Sequence, residues 1–94
     1  MTPLAGSDVP YLPSGVRLHR DRVRGKDVLL APEVALIMDE IGIAILGRVD
    51  GKASLDAIVA DLAAAYRAPA SEIEGDVREF LDRLRTRCHV LVRP

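Results

Sequence analysis

Apolar and polar residues alternate along Val16-Arg17-Leu18-His19-Arg20-Asp21-Arg22-Val23. A period of two marks a half-buried strand. Arg24-Gly25-Lys26-Asp27 reads as a turn, because Gly25 takes positive φ without steric cost. Val28-Leu29-Leu30-Ala31 returns as a second strand, completing a hairpin. Pro32-Glu33 makes another turn, and Val34-Ala35-Leu36-Ile37-Met38 follows. This run is too short for its period to separate a strand from a helix start. Pro32 just before it and Asp39 just after it favour a short third strand.

Beyond Asp39 the period lengthens to that of helices. Asp39 is suited to accept the free amide protons of a first turn, and Ile41, Ala44 and Ile45 share one face of a short helix that Gly47 and Val49-Asp50-Gly51 end. Ser54 is a good cap for a second helix, Leu55 to Tyr66, with Leu55, Ile58, Val59, Leu62 and Tyr66 at helical spacing. Arg67-Ala68-Pro69 stops it. Ser71-Glu72-Ile73-Glu74 has the form of a capping box, and a third helix is expected from there to about Arg87. Its stripe is Ile73, Val77, Phe80, Leu81, Leu84 and Cys88, with acids near the start and arginines near the end, as the helix dipole favours. His89-Val90-Leu91-Val92 reads as a closing edge strand. Residues 1–13, rich in Pro and Gly, read as a flexible tail or linker, and residues 14–94 as one domain. The expected fold class is α+β: a winged-helix-like domain with a small three-stranded antiparallel sheet packed on three helices.

Composition narrows the chemistry. Of 94 residues, 49% are hydrophobic but only 3% aromatic, so the core is aliphatic. A chain this short is expected to reach only about 5–9 kcal/mol of stability and has few residues with which to enclose an active site. The formal net charge of -1 argues against a dedicated nucleic-acid binder. Cys88 is the single cysteine, so no internal disulfide forms, and with His19 and His89 it makes no metal-ligand pattern. No apolar run is long enough to span a membrane. The default compartment is a reducing cytoplasm.

No set of residues reads as catalytic, metal-binding or cofactor-binding. Cys88 beside His89 suggests a thiol nucleophile, but Cys88 continues the apolar stripe and is expected to be buried and inert. His19 reads as solvated among Arg17, Arg20 and Arg22. The arginines of the third helix allow a winged-helix DNA-binding regulator as the alternative function, although Glu79 and Asp82 interleave with them. A peptide-binding module needs less: an edge strand with free backbone groups, beside an amphipathic helix, accepts a guest peptide as an added strand. The same edge leaves open a homodimer, or coverage by the chain itself.

Ordered motifs sharpen this reading. Arg17-Leu18-His19-Arg20-Asp21-Arg22-Val23-Arg24-Gly25 precedes Val28-Leu29-Leu30-Ala31-Pro32-Glu33. Ala44-Ile45-Leu46, Asp50-Gly51, Ile58-Val59-Ala60-Asp61-Leu62, Tyr66 and Phe80-Leu81 follow in order. The series resembles the PqqD family, the small peptide chaperones of pyrroloquinoline quinone (PQQ) biosynthesis, from about Pro13 to Val92. Asp39-Glu40-Ile41 and Val49 depart from the family's usual residues. The resemblance implies a RiPP recognition element that binds the leader of a PqqA-like precursor peptide and presents it to a PqqE-like radical S-adenosylmethionine (radical SAM) enzyme. It also implies a groove between the third strand and third helix. One wall would be Val34, Ala35, Leu36, Ile37 and Met38, the other Val77, Arg78, Phe80, Leu81, Leu84 and Arg85. In some organisms such a domain is fused behind another enzyme of the pathway, and residues 1–13 would then be a linker.

Overall fold

A computed structural model describes residues 3–94. It contains five strands and three helices: β1 (Val9–Tyr11), β2 (Arg17–Asp21), β3 (Lys26–Ala31), β4 (Val34–Ile37), α1 (Glu40–Leu46), α2 (Leu55–Tyr66), α3 (Ala70–Thr86) and β5 (Leu91–Arg93). The three-stranded antiparallel sheet runs β2-β3-β4 and β1 pairs separately with β5, so the expected α+β architecture is present, with one additional small sheet.

The hairpin turns where the sequence requires it. Gly25 sits at φ +65°, and the Asp21 carboxylate accepts from the amides of Val23 and Arg24. Pro32-Glu33 links β3 to β4, whose register places Leu29 opposite Leu36 and Val28 opposite Ile37. The helix starts follow their caps. Asp39 accepts from the Gly42 amide at 2.7 Å and Ser54 from the Ala57 amide at 3.1 Å. Val16 and Leu29 from the hairpin share one aliphatic core with Ile45, Leu55, Ile58, Leu62, Val77, Leu81 and Val90.

Three expectations change. First, residues 3–13 of the supposed tail carry structure, while positions 1 and 2 lie outside the described residues. Leu4 is 3% exposed in the core, and Val9, Pro10 and Tyr11 pair with Arg93, Val92 and Leu91. The carbonyls of Gly6 and Asp8 accept from the amides of Asp56 and Leu55, donors that a helix start leaves free. Second, α3 begins at Ala70 behind Pro69, whose own φ suits a helix entry, so Ser71 lies inside the first turn and no side-chain cap forms. Third, α3 stops at Thr86, and Cys88 is exposed at φ +60° rather than buried on the stripe.

Candidate functional site

β4 is an edge strand, and its hydrogen-bond phase decides what it offers. The Met38 amide donates to the Asp27 carbonyl at 3.0 Å. Antiparallel pairing alternates, so Leu36 and Val34 also turn their backbone groups toward β3. Ala35 and Ile37 therefore direct N–H and C=O to the open side. Val34, Leu36 and Met38 share one side-chain face, and Leu36 and Met38 are packed against the core. Ile37, on the other face, is 55% exposed.

Two hollows lie between this edge and the α3 end of the molecule. Near the strand's end, Ile37, Met38 and Asp39 face Phe80, Arg83 and Leu84 across about 290 Å³. Near its start, Val34 and Pro32 share a wider hollow of about 540 Å³ with Arg87, Cys88 and His89. Phe80, Arg83, Leu84 and Arg87 recur three and four residues apart, so a single flank of α3 lines both hollows. Phe80 is half-buried, close to Gly42 of α1.

The sequence-predicted wall on α3 is thus divided. Phe80 and Leu84 line the hollow beside Ile37 and Met38. Val77 and Leu81 are 1% and 0% exposed, closed into the core beneath it. Arg78 and Arg85 lie on another flank, roughly 150° around the helix from Phe80 at about 100° per residue. Arg78 donates to the Leu4 carbonyl and pairs with Glu74, and Arg85 pairs with Asp82 at 2.8 Å. Arg83 and Arg87, missed as groove residues, hold the corresponding positions by the strand. Their spacing from Phe80 and Leu84 is legible in the chain, but only the placement of α3 identifies the useful flank.

The geometry suits binding an extended chain. Outward N–H and C=O groups form a short template, Met38, Phe80 and Leu84 offer an apolar seat, and Arg83 and Arg87 supply positive charge. Arg83 is loosely paired with Glu79 at 3.8 Å, with both side chains well exposed. The DNA-binding alternative loses support, because Arg78 and Arg85 are engaged by Glu74 and Asp82 on α3 itself. Among the described residues no group of three or more His, Cys, Asp or Glu is arranged to hold a metal ion, and no helix is long and apolar enough to cross a membrane.

Comparison with known proteins gives consistent matches. Residues 28–90 match the family model "Coenzyme PQQ synthesis protein D (PqqD)". The chain is similar to a protein of Rhizobium meliloti named PqqA binding protein, 50% identical over 84 residues that cover 89% of this chain and 86% of the relative. It is also similar to part of the bifunctional coenzyme PQQ synthesis protein C/D of Methylorubrum extorquens. That match is 45% identical and covers 85% of this chain but 22% of the longer protein. Among solved structures it resembles the solution structure of the PqqD truncation of Methylobacterium extorquens PqqCD, described as a functional, stand-alone RiPP recognition element. The TM-score is 0.81 at 41% identity, covering 96% of both chains.

Proposed function

The chain belongs to the PqqD family, and from that premise we propose that it binds the leader of a PqqA-like precursor peptide as a fourth strand on β4. The function is that of a peptide-binding adaptor in PQQ biosynthesis. The observation that carries the site is the phase of β4: Ala35 and Ile37 turn their backbone groups outward, beside a hollow that Phe80, Leu84 and Arg83 line and a second that Arg87 lines. Main-chain hydrogen bonds supply affinity without regard to sequence, and the hollow selects side chains on alternate guest residues. Met38, Phe80 and Leu84 favour an aliphatic or aromatic anchor, and Arg83 and Arg87 favour a carboxylate nearby. The adaptor performs no chemistry itself. It holds the guest for a PqqE-like radical SAM enzyme, in the cytoplasm where the ribosomal precursor is made.

Titrating the isotopically labelled chain with precursor peptide tests the site. The amides of Ala35 and Ile37 and the signals of Phe80, Arg83 and Leu84 are expected to shift together. Changes confined to the Arg22–Gly25 turn would sink the assignment. Ala35→Pro gives a second arm, since proline is tolerated on an edge strand whose N–H faces outward but removes the donor a guest needs. Guest affinity is expected to fall about tenfold, with a small change in melting temperature.

A further inference from the structure

The flank of α3 that borders β4 continues toward the start of the helix. There, Ile73 and Asp76 help line a second apolar hollow of about 360 Å³, which α1 closes with Glu40 and Ile41 and α2 with Leu62 and Tyr66. Two large side chains at this site stay in solvent, Ile41 at 59% exposure and Tyr66 at 49%. The lining holds two carboxylates and no cation, and neither Glu40 nor Asp76 enters an ion pair among the described residues. The flank therefore changes sign along its length. Arg83 and Arg87 stand over the edge strand, where Asp39 and Glu33 partly offset them, whereas Glu40 and Asp76 stand over this hollow with no cation beside them. α1 joins the two places, because its cap Asp39 lines the hollow at the strand end and its first residues, Glu40 and Ile41, line this one.

We propose that this second hollow is a docking seat for the modifying enzyme, receiving an aliphatic or aromatic side chain flanked by lysine or arginine on the enzyme's surface. The inference rests on the adaptor reading above. An apolar anchor would fill the space between Ile41 and Tyr66, desolvating both. The flanking cations would meet Glu40 and Asp76, which suits a basic partner and repels an acidic one. An acidic guest is thereby directed to the arginine end while the enzyme occupies the acidic end. One turn of α1 separates them, so the guest is delivered beside the docked enzyme.

The test uses the full chain, the purified radical SAM enzyme of the same pathway and the precursor peptide. Enzyme and peptide affinities are measured separately for the wild type, Ile41→Ser and Asp76→Lys, with thermal melts to check folding. Both positions are solvent-exposed, so both variants are expected to fold. Each is expected to weaken enzyme binding about tenfold while peptide affinity stays within about twofold. Added salt is expected to weaken the wild-type enzyme complex more than the Asp76→Lys complex. Unchanged enzyme affinity in both variants, or no binding of enzyme by the wild type, overturns the docking seat. Loss of peptide affinity in these variants overturns it too, by giving the hollow to the guest. A wild-type dimer that Ile41→Ser dissociates overturns it in favour of a second copy. Failure of the adaptor reading looks different: the wild type would bind no peptide, or Ala35→Pro would bind it as tightly as the wild type.

Discussion

Phe80 and Leu81 are neighbours in the chain with different tasks. Successive helical residues point about 100° apart, which sends Leu81 into the core at 0% exposure and leaves Phe80 half-buried beside Met38 and Leu84. Leu81→Ala is expected to cost roughly 2–5 kcal/mol by chemical denaturation. Phe80→Leu keeps an apolar side chain and is expected to reduce peptide affinity several-fold in calorimetric titration, with a smaller loss of stability. Asp50 shows how an exposed residue still contributes. Its carboxylate accepts from the amides of Ala53 and Lys52 at 2.9 and 2.8 Å, and these bonds hold its pKa below the ordinary 3.8. A lowered folded-state value means that the unfolded chain binds more protons in that window, so stability rises with pH through it. The contribution is complete above the unfolded value and is lost as pH falls through the folded one. Asp50→Ala is therefore expected to be less stable than the wild type near neutral pH, with the difference closing as the pH drops below 3.8.

The end of α3 is set by backbone chemistry that a helical stripe does not reveal. The Cys88 amide donates to the Arg85 carbonyl and the His89 amide to the Leu84 carbonyl, at 2.9 Å each. With Arg87 as the cap, these are the two bonds of a Schellman motif, and its left-handed position is usually glycine. Here it is Cys88, so the turn carries backbone strain and an exposed thiol. Cys88→Gly is expected to stabilise the domain by about 0.5–1 kcal/mol, visible as a higher melting temperature. The motif has a positional consequence as well. By reversing the chain sharply after Arg87, it sends Leu91–Arg93 back to meet β1 and leaves Arg87 beside Val34.

At the scale of the molecule, the N-terminal segment completes the core. Leu4 fills it, β1 pairs with β5, and the Gly6 and Asp8 carbonyls satisfy the start of α2. Leu4→Ala is expected to cost roughly 2–5 kcal/mol, a large share of the stability of a domain this small. Deleting residues 1–12 is expected to cost more, since it also removes the strand pairing and the helix contacts. Denaturant unfolding measures both.

The hairpin, β4 and α2 were legible in the chain because their signals are local. A period of two marks β2, a turn glycine follows it, and Asp39 and Ser54 cap α1 and α2 by accepting from amides three residues further on. The edge strand and the amphipathic helix beside it were legible for the same reason. The sequence alone did not determine which flank of α3 meets the edge. Ile73, Val77, Phe80, Leu81 and Leu84 form one broad apolar arc with arginines on both sides of it, and only the packing of Val77 and Leu81 into the core orients the helix. Nor did it reveal β1. Val9 finds its partner in Arg93, at the far end of the chain, while its prolines and glycines have the local character of a tail. Local spacing fixes how a segment bends; which distant segment it meets is decided by the core that both must close.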